Sequence, residues 1–339
     1  MRRAAVRGAA VVAAAVAAVG AATLSAATAH AGTLRYCDAT PPLSAGQQGR
    51  LLQLSAIVKS ELERSGSRVA LVSRSGLNLR WFGMRYSHAG LSLQGSGETP
   101  WAVRQLYFAC DEAAPRLFDQ GLSAFLLGTE DPALGYVSVV LLPADAAATL
   151  ETVALDNRRA LSLLGARYSA NAHAWSLQYQ NCNQWLIELL GLAWAAPAAA
   201  PGPERVNADA DANADPDADP DPDAATALPA TAPRTSAQAA LRILGYEAAT
   251  FSLGWRPLLW LTAFSPYLHR DDHPESDLAR AQFRVSMPQA IEVFVRQRVP
   301  GAERLEFCHT AAHVVMRRGW EPLPDGCVPG EGDEVFALR

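Results

Sequence analysis

Lysine is almost missing from this 339-residue sequence: Lys59 is the only one, and arginine carries the rest of the positive charge. With a formal net charge of −5, no basic surplus exists to neutralise phosphates, and nucleic acid is not expected as a partner. Beyond the first residues no run approaches roughly 20 apolar positions, so no transmembrane segment is expected there. Histidines at helical spacing are also lacking around Asp272-His273, which disfavours a metal centre; no cofactor is implied. Cysteine is scarce and odd in number: Cys37, Cys110, Cys182, Cys308 and Cys327. In an oxidising compartment an odd count leaves at least one free thiol or an intermolecular bond.

What is present at the start fixes the expected compartment. Arg2, Arg3 and Arg7 precede an Ala/Val-rich run from Ala9 to Ala22, and Ala29-His30-Ala31 supplies a small-residue cleavage site. Residues 1–31 read as a signal peptide, and no cysteine follows the cleavage site to suggest a lipoprotein. The mature chain is expected to start near Gly32 and to be exported, periplasmic or secreted. Without those three arginines the chain holds 26 basic and 34 acidic residues, and seven of the acids are aspartates between Asp209 and Asp223.

From Ala195 to Thr235 the composition collapses to Ala, Pro and Asp, with too few large apolar groups to offset chain entropy. The alternating aspartates lack the glycine turn and bidentate glutamate of an EF-hand loop. Residues 195–235 are therefore expected to be a disordered linker or insert between a core at 32–194 and a C-terminal α+β region at 236–339.

Periodicity supplies the elements. A Ser44-x-x-Gln47 capping box opens a helix carrying Leu51, Leu54, Ile57, Val58 and Leu62. Short strands are expected at Arg68–Ser73, Leu79–Phe82, Tyr86–Leu93, Trp101–Phe108 and Tyr136–Leu142, the third and fourth as antiparallel neighbours. Arg116–Leu127 reads as a helix, and Ala144–Leu164 as a long one with Leu161 and Leu164 inward. Past the insert, Ser236 is expected to cap a helix, and Ser286–Gln289 to form a second capping box opening a helix through Arg298. Leu305–Phe307, His313–Met316 and Val335–Leu338 complete the strands.

The stretch around Cys182 carries the candidate chemistry. Trp185, Leu186, Leu189 and Leu190 mark one buried helix face, Asn181 is a suitable N-cap, and Cys182 stands at the helix front. Orphan N–H groups and the macrodipole there favour a thiolate, so a lowered thiol pKa is expected; a small buried cysteine that only packs is the alternative. His88 lies in YSHAGLSL on a strand face with Gly90, where a ligand or another backbone can approach closely. Gln105 on the next strand can orient an imidazole, and Gln180 and Asn181 are candidate oxyanion donors. His173, in the loop before Cys182, is a competing base. If Cys308 pairs with Cys327 and Cys37 with Cys110, Cys182 remains free; sequence alone does not fix this connectivity.

SHAGL followed by NCNQWLIELL resembles the circularly permuted papain-like, NlpC-type cysteine hydrolases, in which a His-x-Gly strand precedes an Asn-Cys helix. The likeness extends to lecithin:retinol acyltransferase-like and PPPDE-type proteins. SHAGL, WAVRQL, DQGLSAF, YQNCNQW and DDHP more closely resemble the bacterial exported family catalogued as domain of unknown function 2145. The resemblance implies an α+β fold with an antiparallel sheet packed on helices, Cys182 as nucleophile and His88 as base. An exported thiol hydrolase or acyltransferase acting on an amide or ester in peptide, acyl or envelope material is the function expected. A non-catalytic binding protein of the same fold, holding a peptide or lipid group, is the alternative.

Overall fold

The structure, a computed structural model, describes residues 43–110, 112–129, 131–195 and 232–339. The expected signal peptide, Cys37 and most of the Ala/Pro/Asp-rich stretch lie outside them. The described chain runs α1 (Ala45–Arg64), β1 (Val69–Arg74), β2 (His88–Leu93), β3 (Ala102–Ala109), β4 (Ala114–Gln120), α2 (Leu122–Leu127) and β5 (Gly135–Leu141). It continues with α3 (Ala144–Leu155), α4 (Asn157–Ser162), α5 (Cys182–Trp194), α6 (Ala232–Ile243) and β6 (Ala249–Ser252). Next come α7 (Glu275–Ala279), β7 (Gln282–Val285), α8 (Pro288–Arg298), β8 (Glu303–His309), β9 (His313–Arg318) and β10 (Glu334–Ala337). Single 3-10 segments occupy Arg80–Phe82 and Arg256–Phe264.

An eight-stranded antiparallel sheet in the order β10-β9-β8-β5-β1-β2-β3-β4 organises the protein, giving the mixed helix and sheet class expected. Strands from both sides of the Ala/Pro/Asp-rich stretch share it, because β8 pairs with β5 along its length. One sheet face meets α1 and α2 in a core of Leu51, Leu54, Leu62, Val72, Val103, Phe125, Val139 and Phe307. The Ser44–Gln47 box closes in both directions at the start of α1. On the other face Arg104 reaches the Ala154 carbonyl of α3, and Arg304 bonds Glu292 of α8 at 3.0 Å. The buried Glu306 accepts from Tyr86, from Leu323 N at 2.7 Å and from Arg85 at 2.7 Å, tying the C-terminal strands to the residues just before β2. Cys308 and Cys327 form a disulfide, and Cys110 is also disulfide-bonded.

Five local expectations are corrected. Leu79–Phe82 is a 3-10 turn ending at left-handed Gly83, not a strand. Arg116–Leu127 divides into edge strand β4 and the short α2, because pairing with β3 through Gln120 outweighs the helix-compatible spacing, and Gly121 separates the two. Pro115 is accommodated in β4 because that strand lies at the edge. The long helix from Ala144 breaks at Asp156, which leaves the helical region and caps α4 by accepting from Arg159 N at 3.2 Å; Leu161 is consequently exposed. Helix α6 starts at Ala232, with Ser236 inside it. Ser286 makes no cap: Met287 occupies the N-cap of α8, and the buried Ser286 hydroxyl interacts with Tyr246 instead.

Candidate functional site

Helix α5 opens as its sequence dictates. Asn181 is extended at the N-cap, and its Oδ1 accepts from Gln184 N at 2.7 Å. Cys182 follows as the first helical residue, 8 % exposed, and is the free cysteine among the described residues. The helix is buried on nearly every side and packs against β2, β3, α3 and α6. At Gly191 a Cβ would lie 2.7 Å from the Ala237 carbonyl, so only glycine lets α6 approach this closely.

Asn183 brings the helix tip to His88. Its Oδ1 accepts from Ala89 N at 3.0 Å, and its Nδ2 donates to the Ser87 carbonyl at 3.2 Å. These are the backbone groups flanking His88. They are open because β3 pairs with β2 only from Leu91 to Leu93. Gly90 completes the junction: a Cβ there would stand 2.5 Å from Val103 Cγ1, so the close neighbour anticipated at this glycine is β3 itself. The start of α5 is thereby tied to the backbone on either side of His88, and no hydrogen bond joins the Cys182 and His88 side chains among the described residues.

His88 is oriented from its far side. Its Nε2 hydrogen-bonds Gln105 Oε1, and Gln105 Nε2 donates to Gln120 Oε1 at 2.6 Å. With the Gln105 amide oriented by Gln120, its oxygen requires the Nε2–H tautomer and leaves Nδ1 with a lone pair. The ring also packs on Phe125, with centroids 5.7 Å apart. Arg74, cross-strand partner of His88, stacks over the same Phe125 at 5.2 Å.

Electrostatics correct the expected low thiol pKa. Burial pushes the Cys182 thiol up to about 12, against the opposing pull of the Asn183 N–H, Arg74 and its own N–H. Burial also takes the His88 imidazole down to about 3, aided by Arg74 and opposed by Gln105. Desolvation outweighs the helix terminus at Cys182 because the thiol is buried, while the half-buried His88 ring is lowered by its packing and by Arg74 together. The pair is neutral thiol and neutral imidazole near pH 7.

The two candidate oxyanion donors both have partners within the protein. Gln180 is fully buried and committed, accepting from Gly165 N at 2.7 Å and donating to the Leu163 carbonyl at 2.9 Å and Glu188 at 2.7 Å. Asn181 caps α5 through its Oδ1, and its Nδ2 donates to the Ala170 carbonyl at 3.5 Å. The groups facing the sulfur are instead the backbone N–H of Cys182 and of Asn183. Asn183 and Gln120 were missed in the sequence; two asparagines flanking a cysteine in NCN was the available signal, whereas nothing marked Gln120. His173 and Asp272-His273 serve elsewhere: His173 N donates to Asp272 at 2.9 Å and His273 Nε2 bonds the Asn171 carbonyl at 2.8 Å, tying two loops together. No group of three or more His, Cys, Asp or Glu among the described residues is arranged to hold a metal ion.

Burial likewise lowers His173 and His309 to about 4 each. An unfolded histidine titrates near 6.5, so between about pH 6.5 and 4 the unfolded chain binds more protons and stability falls as pH falls. Each buried histidine contributes at most roughly 3 kcal/mol across that window. Urea melts at pH 7.5 and 4.5 are expected to show a loss of several kcal/mol at the lower pH; equal midpoints would contradict the buried neutral histidines.

No curated protein and no solved structure matches the chain. The family model described as "Uncharacterized protein conserved in bacteria (DUF2145)" matches residues 61–295, which span β2, α5 and the Ala/Pro/Asp-rich stretch. Covering more than half of the sequence, that match establishes that the chain belongs to this bacterial family.

Proposed function

We propose that this protein is an exported thiol hydrolase or acyltransferase on a circularly permuted papain-like fold, with Cys182 and His88 as the reacting pair. The observation that supports the reading is Asn183, whose amide bonds both backbone groups flanking His88 and so brings the Cys182 end of α5 to the strand that carries the histidine. Supporting it, His88 precedes Cys182 in the chain, as permutation requires, and the Nε2 side of the ring is held by Gln105.

Because both groups rest neutral, the reaction begins by general-base catalysis rather than from a preformed ion pair. His88 Nδ1 takes the Sγ proton as sulfur attacks the carbonyl carbon of an amide or ester. The oxygen gains the charge near the Cys182 and Asn183 N–H groups. The imidazolium then protonates the leaving amine or alcohol as its bond to carbon breaks, and water or an acceptor nucleophile releases the acyl group from sulfur. Peptide, acyl or envelope material is the substrate class, on the strength of the N-terminal segment and the superfamily resemblance.

The reading of a non-catalytic binding protein draws on the raised thiol pKa. Also favouring it, the cavity lined by Arg256, Pro257, Leu259, Trp260, Arg270 and Glu275 lies among other residues than the pair. Peptide mapping after incubation with p-nitrophenyl acetate separates the two. One acetyl group on Cys182 in the native protein, absent from Cys182→Ala, is the expected result. Acetylation of Cys182 only after unfolding in urea would leave the binding reading in its place.

A further inference from the structure

Three tryptophan side chains stand mostly in solvent: Trp81 at 94 %, Trp255 at 65 % and Trp260 at 70 %. They come from two segments mounted on one small core. Leu79 and Met84, either side of the 80–82 turn, pack on Leu259, Phe283, Val285 and Met287, and the Phe82 ring meets Phe251 at 5.2 Å. Trp255 begins, and Trp260 belongs to, the 3-10 segment that supplies Leu259 to that core.

Arginines border these tips. Arg80 precedes Trp81, and Arg256 and Arg270 line a cavity with Trp260. Several arginines elsewhere are held in ion pairs, among them Arg68, Arg104, Arg234, Arg304 and Arg317, whereas others, such as Arg158, Arg242 and Arg298, are not. Among the described residues, Arg80, Arg256 and Arg270 have no carboxylate partner. Glu275 lines the same cavity, leaving two arginines there against one acid.

From this combination we infer that the Trp81–Trp255–Trp260 surface docks on an anionic lipid membrane. Indole rings favour the water–hydrocarbon boundary, where the apolar body is buried and the N–H stays wet. Uncommitted arginines beside them complement acidic headgroups. Three solvent-exposed indoles, one of which also lines the cavity with Arg256 and Arg270, suit a deformable lipid surface. The inference does not depend on the catalytic reading.

Tryptophan quenching by vesicles tests it in the full chain. Residues 1–42 and 196–231 contain no tryptophan, so quenching reports on the described residues. Vesicles of phosphatidylcholine with brominated chains, containing 30 % phosphatidylglycerol or none, are titrated into the protein. Strong quenching with the anionic vesicles, weakened by 0.5 M salt, is expected. In the triple variant Arg80→Gln, Arg256→Gln, Arg270→Gln, which keeps all three tryptophans, the lipid concentration for half-maximal quenching should rise about a hundredfold. A thermal midpoint equal to that of the parent checks that the variant is folded. Absence of quenching, equal quenching by purely zwitterionic vesicles, or an unchanged midpoint lipid concentration in the triple variant would each overturn the inference.

Discussion

Replacing Arg234 with methionine is expected to destabilise the protein by about 3–5 kcal/mol, lowering the thermal midpoint by roughly 10 °C. Arg234 lies near the start of α6 and is 2 % exposed. Its Nε and Nη2 meet the two oxygens of Glu188, itself fully buried on α5, at 2.8 and 3.0 Å. The same guanidinium donates to the carbonyls of Ser176 at 2.8 Å, Leu177 at 3.2 Å and Tyr179 at 3.3 Å, securing the loop that enters the Cys182 helix. Gln180 and Gln238 donate to the same carboxylate at 2.7 Å each, but neither supplies a charge. Burial already raises the Glu188 pKa against the opposing effect of Arg234.

Without the arginine, Glu188 must take up a proton to stay buried. A carboxylate whose folded pKa is raised binds protons that the unfolded chain has lost, so the destabilisation should be greater at pH 8 than at pH 5. The double variant Glu188→Leu, Arg234→Met should recover much of the loss, since an apolar pair leaves no unpaired charge. Denaturant midpoints of parent, single and double variants at both pH values decide this. A single variant as stable as the parent would show that the pair is idle.

His88→Ala should slow acetylation of Cys182 by a factor of about 100 to 10,000, the usual worth of a positioned base. The cause is specific: with the thiol pKa near 12, almost no thiolate exists at neutral pH, and attack depends on a neighbour that accepts the proton during the step. Since His88 titrates only near 3 and Cys182 near 12, the parent's acylation rate should be almost flat from about pH 5 to 9. An ordinary histidine would instead give a rise near 6.5. Gln105→Glu places a carboxylate on Nε2 and should raise the His88 pKa, bringing an acidic limb into that range. A role for Gln105 that is only structural would change the midpoint of unfolding without moving the profile. A His88→Ala protein that is folded and acylated at the parent's rate would remove His88 from the mechanism.

The sequence determined a good part of this arrangement by itself. Capping chemistry at Ser44 and Asn181 is local, resting on residues within one turn, and both helix starts stand where it put them. The neighbouring strands carrying His88 and Gln105 were legible from their alternation and the intervening turn. The proximity of Cys308 and Cys327 in the chain also anticipated their disulfide.

What only the tertiary structure decided depends on partners distant in sequence. Pairing with β3 made Ala114–Gln120 a strand where spacing allowed a helix. The direction of the thiol pKa was settled by competition: a helix N-terminus lowers it by a short-range effect, but the packing around α5 removes the water that would stabilise the thiolate. Gln180 reads as a free amide beside the nucleophile until Glu188 and Gly165 are seen to occupy it. Asn183 and Arg234 show the limit most plainly, since their hydrogen bonds reach the backbone around residue 88 and a carboxylate 46 positions away. Side-chain bonds of that span leave no periodic trace in a sequence; they exist only once the sheet and helices have brought the partners together.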